Sequence, residues 1–323
     1  MLKRILLIWS AIGMISSSVL AAETKLALVI PSTIDDLAWS QAMYQGIKDA
    51  QTELGADKLT FEVSERLWNA VDAGAAIRQY ALKGFNIIIA HGAQYQSLLA
   101  DIAPDFPKTS FAYGTGFNTP EPNIFAYDPH AQEGAYLLGM LAGLTTRSGI
   151  IGLVGPIKAG DAIKYNKGFE QGVMSVNSKA KVRVAYTGSF GDLVAAGEIA
   201  RTHIKAGADV LTGTSQQTVG AINVVAEKEG LVWLSSDMDQ KSIAPKTVLA
   251  AQVYNFKNVI LNIVKNRASG VYGGKHLELS FANGGLILNF NDAIIGIAPK
   301  NAREKILAAK EKIIDGSLKI ELN

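Results

Sequence analysis

The chain is expected to fold as an α/β protein built from two Rossmann-like lobes with doubly wound parallel sheets. Three observations carry that expectation. Short Val/Ile/Leu/Ala runs alternate with helical stretches along nearly the whole chain, the pattern of repeated βαβ units. Most of the runs lack polar alternation, as strands covered on both faces do. The chain also resembles itself at an offset of about 122 residues. Gly46-Ile-Lys-Asp-Ala50 falls in place with Gly168-Phe-Glu-Gln-Gly172. Lys83-Gly-Phe-Asn-Ile-Ile-Ile89 falls in place with Ala206-Gly-Ala-Asp-Val-Leu211.

The first residues read as a leader. Lys3 and Arg4 precede an apolar run from Ile5 to about Met14, followed by Ser16-Ser-Ser-Val-Leu-Ala-Ala22. Small residues at Val19 and Ala21 suit a signal peptidase, so residues 1–22 are expected to be a cleavable signal peptide. The run is short and interrupted by Ser and Gly, unlike a retained anchor. Without it, 29 basic and 29 acidic residues remain. That balance favours neither nucleic acid nor an anionic membrane surface. The chain has no cysteine, which excludes disulfides and the lipid-bearing cysteine of a lipoprotein.

The elements follow in order. Leu26–Ile30 marks a strand over 25–31. A polar loop leads into a helix over 37–54, ended by Gly55, with an apolar stripe at 39, 43, 47, 50 and 54. Further strands are expected at 59–63, 86–90, 109–113 and 123–127, with helices at 69–83 and 94–103. The second half brings strands at 149–154, 181–187, 208–212, 231–235 and 247–253. Its helices lie at 130–146, 163–176, 192–205 and 217–229. The tail, with helices at 255–267 and 301–315 and two strands near 277–290, is too short for a third domain. It is expected to cross between the lobes and complete both sheets. The lobes are then 23–128 with 254–283, and 129–253 with 284–323. At 323 residues, with 48% hydrophobic and 19% charged, the chain is long enough for two such cores.

Ligands of open α/β sheets bind at the carboxyl ends of the strands, so the residues just after each strand are the site candidates. After the first strand come Asp35, Asp36, Trp39 and Ser40. One aspartate suffices to cap the helix, which leaves the other free to face a ligand. Trp39 begins the buried stripe where it meets the loop, so core packing and ligand stacking both fit it. His91 and Gln94 follow the strand at 86–90, and His130 precedes a helix. Phe190 sits among small residues in Thr187-Gly-Ser-Phe-Gly-Asp192, where Asp192 caps the next helix. Thr214-Ser215-Gln-Gln217 offers hydroxyls and amides, or a helix cap. Asp237 follows the strand at 231–235, and a carboxylate without a counter-charge suits hydroxyl or ring N–H donors. No histidine has metal or triad spacing to another, and Asp237 and Asp239 lack a third ligand, so no metal or cofactor is expected. There is no Gly-x-Ser-x-Gly elbow, phosphate loop or full dinucleotide fingerprint, so no catalysis is expected.

The run Asp35-Asp-Leu-Ala-Trp-Ser-Gln-Ala-Met-Tyr-Gln-Gly46 resembles the opening motif of the basic membrane protein family. These are ABC-transporter substrate-binding proteins of the purine-nucleoside-receptor type. The resemblance spans essentially all of the mature chain. It continues through Glu133-Gly-Ala-Tyr-Leu-Leu-Gly139, Gly168–Gly172, Thr187–Asp192, Gly207-Ala-Asp-Val210 and Ser236-Asp-Met-Asp-Gln240. It implies a type I periplasmic binding (Venus flytrap) fold, with three hinge crossings and a ligand in the cleft. It implies a purine base stacked between Trp39 and Phe190, with Asp36 near the base and Asp237 on a ribose hydroxyl or a base N–H. It further implies an ABC permease as partner, a periplasmic location, membrane contact only through the permease, and a monomer. The same fold could instead present its ligand to a receptor kinase or chemoreceptor. The chain departs from the nucleoside-receptor pattern in two places. Ser40 follows the aromatic where that pattern has Asn. The stretch Ala250–Phe256 also lacks the lysine of that pattern. These departures leave open a free base or another flat heterocycle as ligand.

Overall fold

The computed structural model describes residues 23–322; the leader read at 1–22 lies outside them. The first sheet has the strand order β11-β5-β4-β3-β1-β2. Its members are β1 (Thr24–Val29), β2 (Leu59–Ser64), β3 (Ile87–Ala90), β4 (Ser110–Gly114), β5 (Ile124–Pro129) and β11 (Lys275–Leu279). All its pairings are parallel. The second sheet has the order β12-β10-β9-β8-β6-β7. It comprises β6 (Ile150–Gly155), β7 (Lys181–Tyr186), β8 (Val210–Gly213), β9 (Val232–Ser235), β10 (Val248–Tyr254) and β12 (Leu286–Phe290). Here β12 runs antiparallel to β10, the one exception to parallel pairing among the described strands. The tail thus adds an edge strand to each sheet. The central strands β3, β4 and β5 are buried throughout, as their unbroken apolar runs require.

Helices fill the faces: α1 (Trp39–Leu54), α2 (Ala70–Leu82) and α3 (Gln96–Ile102) in the first half, α4 (Ala131–Thr145), α5 (Gly160–Val176), α6 (Leu193–Lys205) and α7 (Thr218–Ala226) in the second, then α8 (Lys257–Ala268) and α9 (Ala302–Ile314). Local sequence sets several of their ends. The Asn69 side chain accepts the Val71 N–H at the start of α2. Asp192 accepts the Ala195 N–H at the start of α6, as the spacing predicts. Gly55 ends α1 at φ +105°, where a side chain would be strained.

The chain passes between the sheets three times: from β5 into α4, from β10 into α8, and from β11 to β12. Hydrogen bonds tie these crossings together. The His130 N–H donates to Leu279 O at 2.8 Å. The Phe281 N–H donates to Glu133 Oε2 at 2.9 Å, while Glu133 Oε1 takes the His130 ring at 2.8 Å. The Asn255 N–H donates to Gly285 O at 2.9 Å. One apolar cluster runs through the crossings and holds residues from both sheets; each sheet has a second cluster on its other face.

The glycines of the internal repeat explain why the halves match there. Gly46 lets α1 approach the start of α8 at Phe256 and Lys257, and Gly168 lets α5 approach α4 at Gln132. Gly139 and Gly172 extend the second contact, so α4 and α5 meet almost backbone to backbone. A Cβ on Gly172 would overlap the Tyr136 carbonyl, and that backbone cannot rotate away. Overpacking of this kind costs about 1–3 kcal/mol. Gly172→Ala is therefore expected to lower the thermal midpoint in calorimetry by several degrees; an unchanged midpoint would show that α4 and α5 can separate freely.

Candidate functional site

A cavity of about 320 Å³ lies between the two sheets, within the roughly 300–1,000 Å³ of small-molecule sites. Its lining comes from the carboxyl ends of the strands. Pro31 and Trp39 follow β1, Trp68 follows β2, Gly92 to Gln94 follow β3, and Gly114 and Thr115 end β4. From the other sheet, Asp161 follows β6, Phe190 follows β7, Thr214 to Gln216 follow β8, Asp237 follows β9, and Tyr254 ends β10. Among the described residues no group of His, Cys, Asp and Glu could hold a metal ion.

Trp39 is the first residue of α1, and one of its faces is already occupied. The His91 ring stacks on it with centroids 4.1 Å apart and planes 10° from parallel. The Trp39 ring N–H donates to His91 O at 3.2 Å, and His91 Nε2 lies 2.9 Å from Trp39 O. A carbonyl only accepts, so Nε2 carries the proton and Nδ1 accepts from Tyr127 Oη at 2.6 Å. Burial pushes the imidazole pKa down to about 3, so this clamp holds a neutral ring. Tyr254 and Phe256 pack nearly perpendicular to the indole, with ring centroids 6.1 and 5.3 Å from it. The indole is thereby fixed before any ligand arrives.

Phe190 faces the cavity from the other lobe, beside Trp68, with ring centroids 6.2 Å apart and planes at 47°. Three other side chains bring polarity. Asp237 is buried; its carboxylate accepts the Ser215 N–H at 3.1 Å and the Thr214 hydroxyl at 3.4 Å. Burial raises its pKa to about 7, and nearby Asp36 adds to the rise while the Ser215 N–H opposes it. Asp161, in the first turn of α5, stands 2.8 Å from Lys164 Nζ, and its Oδ2 has no protein partner. Lys164 also reaches Asp128 at 2.6 Å, where the chain leaves the first sheet. The pairing is unequal. Burial pushes Asp161 up to about 7 against the pull of Lys164. Burial lowers the Lys164 pKa less than its two carboxylates raise it, so the ammonium keeps its charge. Leu37, Ser215 and Asp237 all have positive φ, at +56°, +76° and +67°. Left-handed backbone at non-glycine residues is strained and gathers at functional sites. Gln240 from the second lobe donates to Leu37 O at 2.9 Å, joining the two walls.

Of the nine residues expected from sequence, Trp39, Gln94, Phe190, Ser215 and Asp237 line the cavity. Asp36, Ser40, His91 and His130 are not among its lining residues. Asp36 is the capping aspartate: its carboxylate takes the N–H groups of Ala38, Ser40 and Gln41 at 3.0 to 3.1 Å. The other aspartate, Asp35, is exposed. The capping role thus falls to Asp36, because the loop turns at Leu37 and aims its carboxylate back at the helix, and neither aspartate lines the cavity. Ser40 is buried, one residue beyond Trp39. His91 stands behind Trp39 as its support. His130 is engaged by Glu133 at the crossings, which raises its pKa. Among the lining residues not singled out from sequence are two aromatics, Trp68 and Tyr254, and one carboxylate, Asp161. Tyr254 ends β10, while Trp68 and Asp161 lie further along the connections that follow β2 and β6, and position after a strand was the available signal.

A two-lobed α/β molecule with a preformed aromatic cavity at the strand ends, joined by three crossings, has the architecture of a solute-binding protein. Residues 23–321 match the family model described as Bmp, ABC transporter substrate-binding protein PnrA-like. The chain belongs to that family. It is 26% identical to a purine-binding protein of Brucella abortus over 75% of this chain and 68% of that one. It is 24% identical to the ABC transporter nucleoside-binding protein BmpA of Lactococcus lactis over 99% of each. The fold superposes on an ABC-transporter solute-binding protein from Conexibacter woesei with a TM-score of 0.75 at 22% identity, covering 92% of this chain and 98% of that one. Substrate-binding proteins of ABC transporters work outside the cytoplasmic membrane. No helix among the described residues is long and apolar enough to cross a membrane.

The raised pKa of Asp237 fixes the sign of a pH effect. The folded state holds its proton up to about pH 7, whereas the unfolded carboxyl loses it near 3.8. The resulting destabilisation is absent below the unfolded pKa, grows as pH rises and is complete above the folded one. An amide fits here, with its oxygen on the Ser215 N–H and its nitrogen on Thr214 Oγ1. Asp237→Asn should therefore gain thermal stability relative to the unliganded parent as pH rises from about 5 to about 8. A gap in midpoint that stays constant or shrinks over that range would contradict the assignment.

Proposed function

We propose that this protein binds a purine base, a nucleoside or a similar flat heterocycle in the interlobe cavity and delivers it, in the periplasm, to the permease of an ABC importer. The protein binds its ligand and releases it unchanged. The observation that carries this reading is the pair of aromatic faces, Trp39 and Phe190, contributed to one cavity from opposite lobes. A flat ring inserted there meets a π-face from each side. Asp237 takes a ring N–H or a sugar hydroxyl, and Ser215 and Gln94 supply further polar contacts. The purine- and nucleoside-binding relatives support the ligand class. Closure follows from the geometry: stacking and carboxylate contacts to both lobes exist together only when the lobes are near, so the ligand favours the closed form.

Base stacking on an aromatic side chain is worth about 1–3 kcal/mol. Trp39→Ala is therefore expected to weaken binding by about tenfold or more in calorimetric titration, and an unchanged affinity would remove Trp39 from the ligand wall. The ligand class itself is tested by thermal-shift measurements against bases, nucleosides, sugars and amino acids. A purine is expected to raise the unfolding midpoint in proportion to the logarithm of its concentration above the dissociation constant. A shift with sugars or amino acids and none with purines would overturn the reading.

A further inference from the structure

Resting on the purine reading of this cavity, we propose that the site selects a positively charged flat heterocycle, such as an N-alkylated purinium, over its neutral parent. The first observation is the balance of charge. Asp161 and Asp237 line the cavity. Asp36 and Asp128 lie just behind, and Asp36 raises the Asp237 pKa while Asp128 raises that of Asp161. Against these four carboxylates stands one ammonium, Lys164, shared between Asp128 and Asp161. Among the described residues no Lys, Arg or His lines the cavity. Lys158, on the loop that leads into α5, is exposed, and Lys241 pairs with Asp239 at 3.0 Å. Asp237 has a hydroxyl and a backbone N–H as its partners and no cation. Buried carboxylates without counter-charge are costly unless a proton or a cation completes them.

The second observation is independent of charge. Four aromatic rings line the same space: Trp39, Trp68, Phe190 and Tyr254. The faces of aromatic rings attract cations, Trp most strongly, and the attraction grows where water is excluded. A neutral heterocycle gains stacking alone. A cationic one gains stacking, the ring quadrupoles and the carboxylates together, and its positive charge replaces the missing counter-ion. An anionic nucleotide would meet the opposite balance.

The experiment is calorimetric titration of the purified protein at neutral pH with three probes of one outline. These are 9-methyladenine methylated at N7 to a permanent cation, neutral 9-methyladenine, and the neutral 7-deaza-7-methyl analogue as a control for the added methyl group. The cation is expected to bind about tenfold or more tighter than either neutral probe. Asp161→Asn and Asp237→Asn should each lower the affinity of the cation by a larger factor than that of either neutral probe; equal losses for all three would overturn the charge selectivity. Neutral probes that bind as tightly as the cation, or tighter, would overturn the charge selectivity and leave the purine reading standing. If none of the three binds, the purine reading fails and the selectivity with it.

Discussion

Parallel strand pairing is the constraint on which this molecule depends. In a parallel sheet every strand ends on the same side, and every return connection must cross over a face. Both sheets obey this, apart from the added strand β12. As a result the carboxyl ends of nine strands, four in the first sheet and five in the second, converge on one cavity, and each lining residue ends a strand or lies in the connection that follows one. The crossovers supply the helices that bury both faces of the sheets. The same rule therefore makes the core apolar and delivers the polar and aromatic groups to one edge.

The cavity is organised by groups that do not line it. His91, neutral and buried, backs Trp39 and exchanges hydrogen bonds with its backbone and ring. Asp36 spends its carboxylate on three N–H groups of the turn that aims Trp39. Lys164 anchors Asp161 to Asp128 at the point where the chain leaves the first sheet. Preorganisation of this kind lowers the ordering cost of binding. The strained backbone at Leu37, Ser215 and Asp237 belongs to the same arrangement. The two lobes also meet through Gln240 and Leu37, so the ligand walls and the interlobe contact share one turn.

The element pattern was legible because burial on both faces leaves an unmistakable trace in sequence. Unbroken apolar runs marked most strands of both sheets, and the predicted ends of the ten strands before the tail lie within two residues of those observed. The edge strands in the tail were less sharply placed, since most residues of β11 and β12 are exposed or half-buried. Among the candidate site residues, those directly after strands could be picked out, as Trp39, Phe190 and Asp237 show. His91 also follows a strand, yet lies behind the indole; which side of a strand end faces the cavity depends on the twist of the sheet and the path of the loop.

Sequence by itself determined the alternation of strands and helices, the two related halves and the set of loops able to meet a ligand. These follow from local periodicity and from the rule that parallel strands end together. Tertiary structure alone decided which of the two aspartates caps and which face of Trp39 is open. It also decided that Trp68, Asp161 and Tyr254 join the cavity from segments far apart in the chain. The reason is physical: a cap, a stack or a charge balance depends on the distance and orientation between groups that only the packed chain brings together. Trp39 shows both sides, since its spacing favoured the core over the cleft, and the packed structure stacks one face on His91 while the ring still lines the cavity.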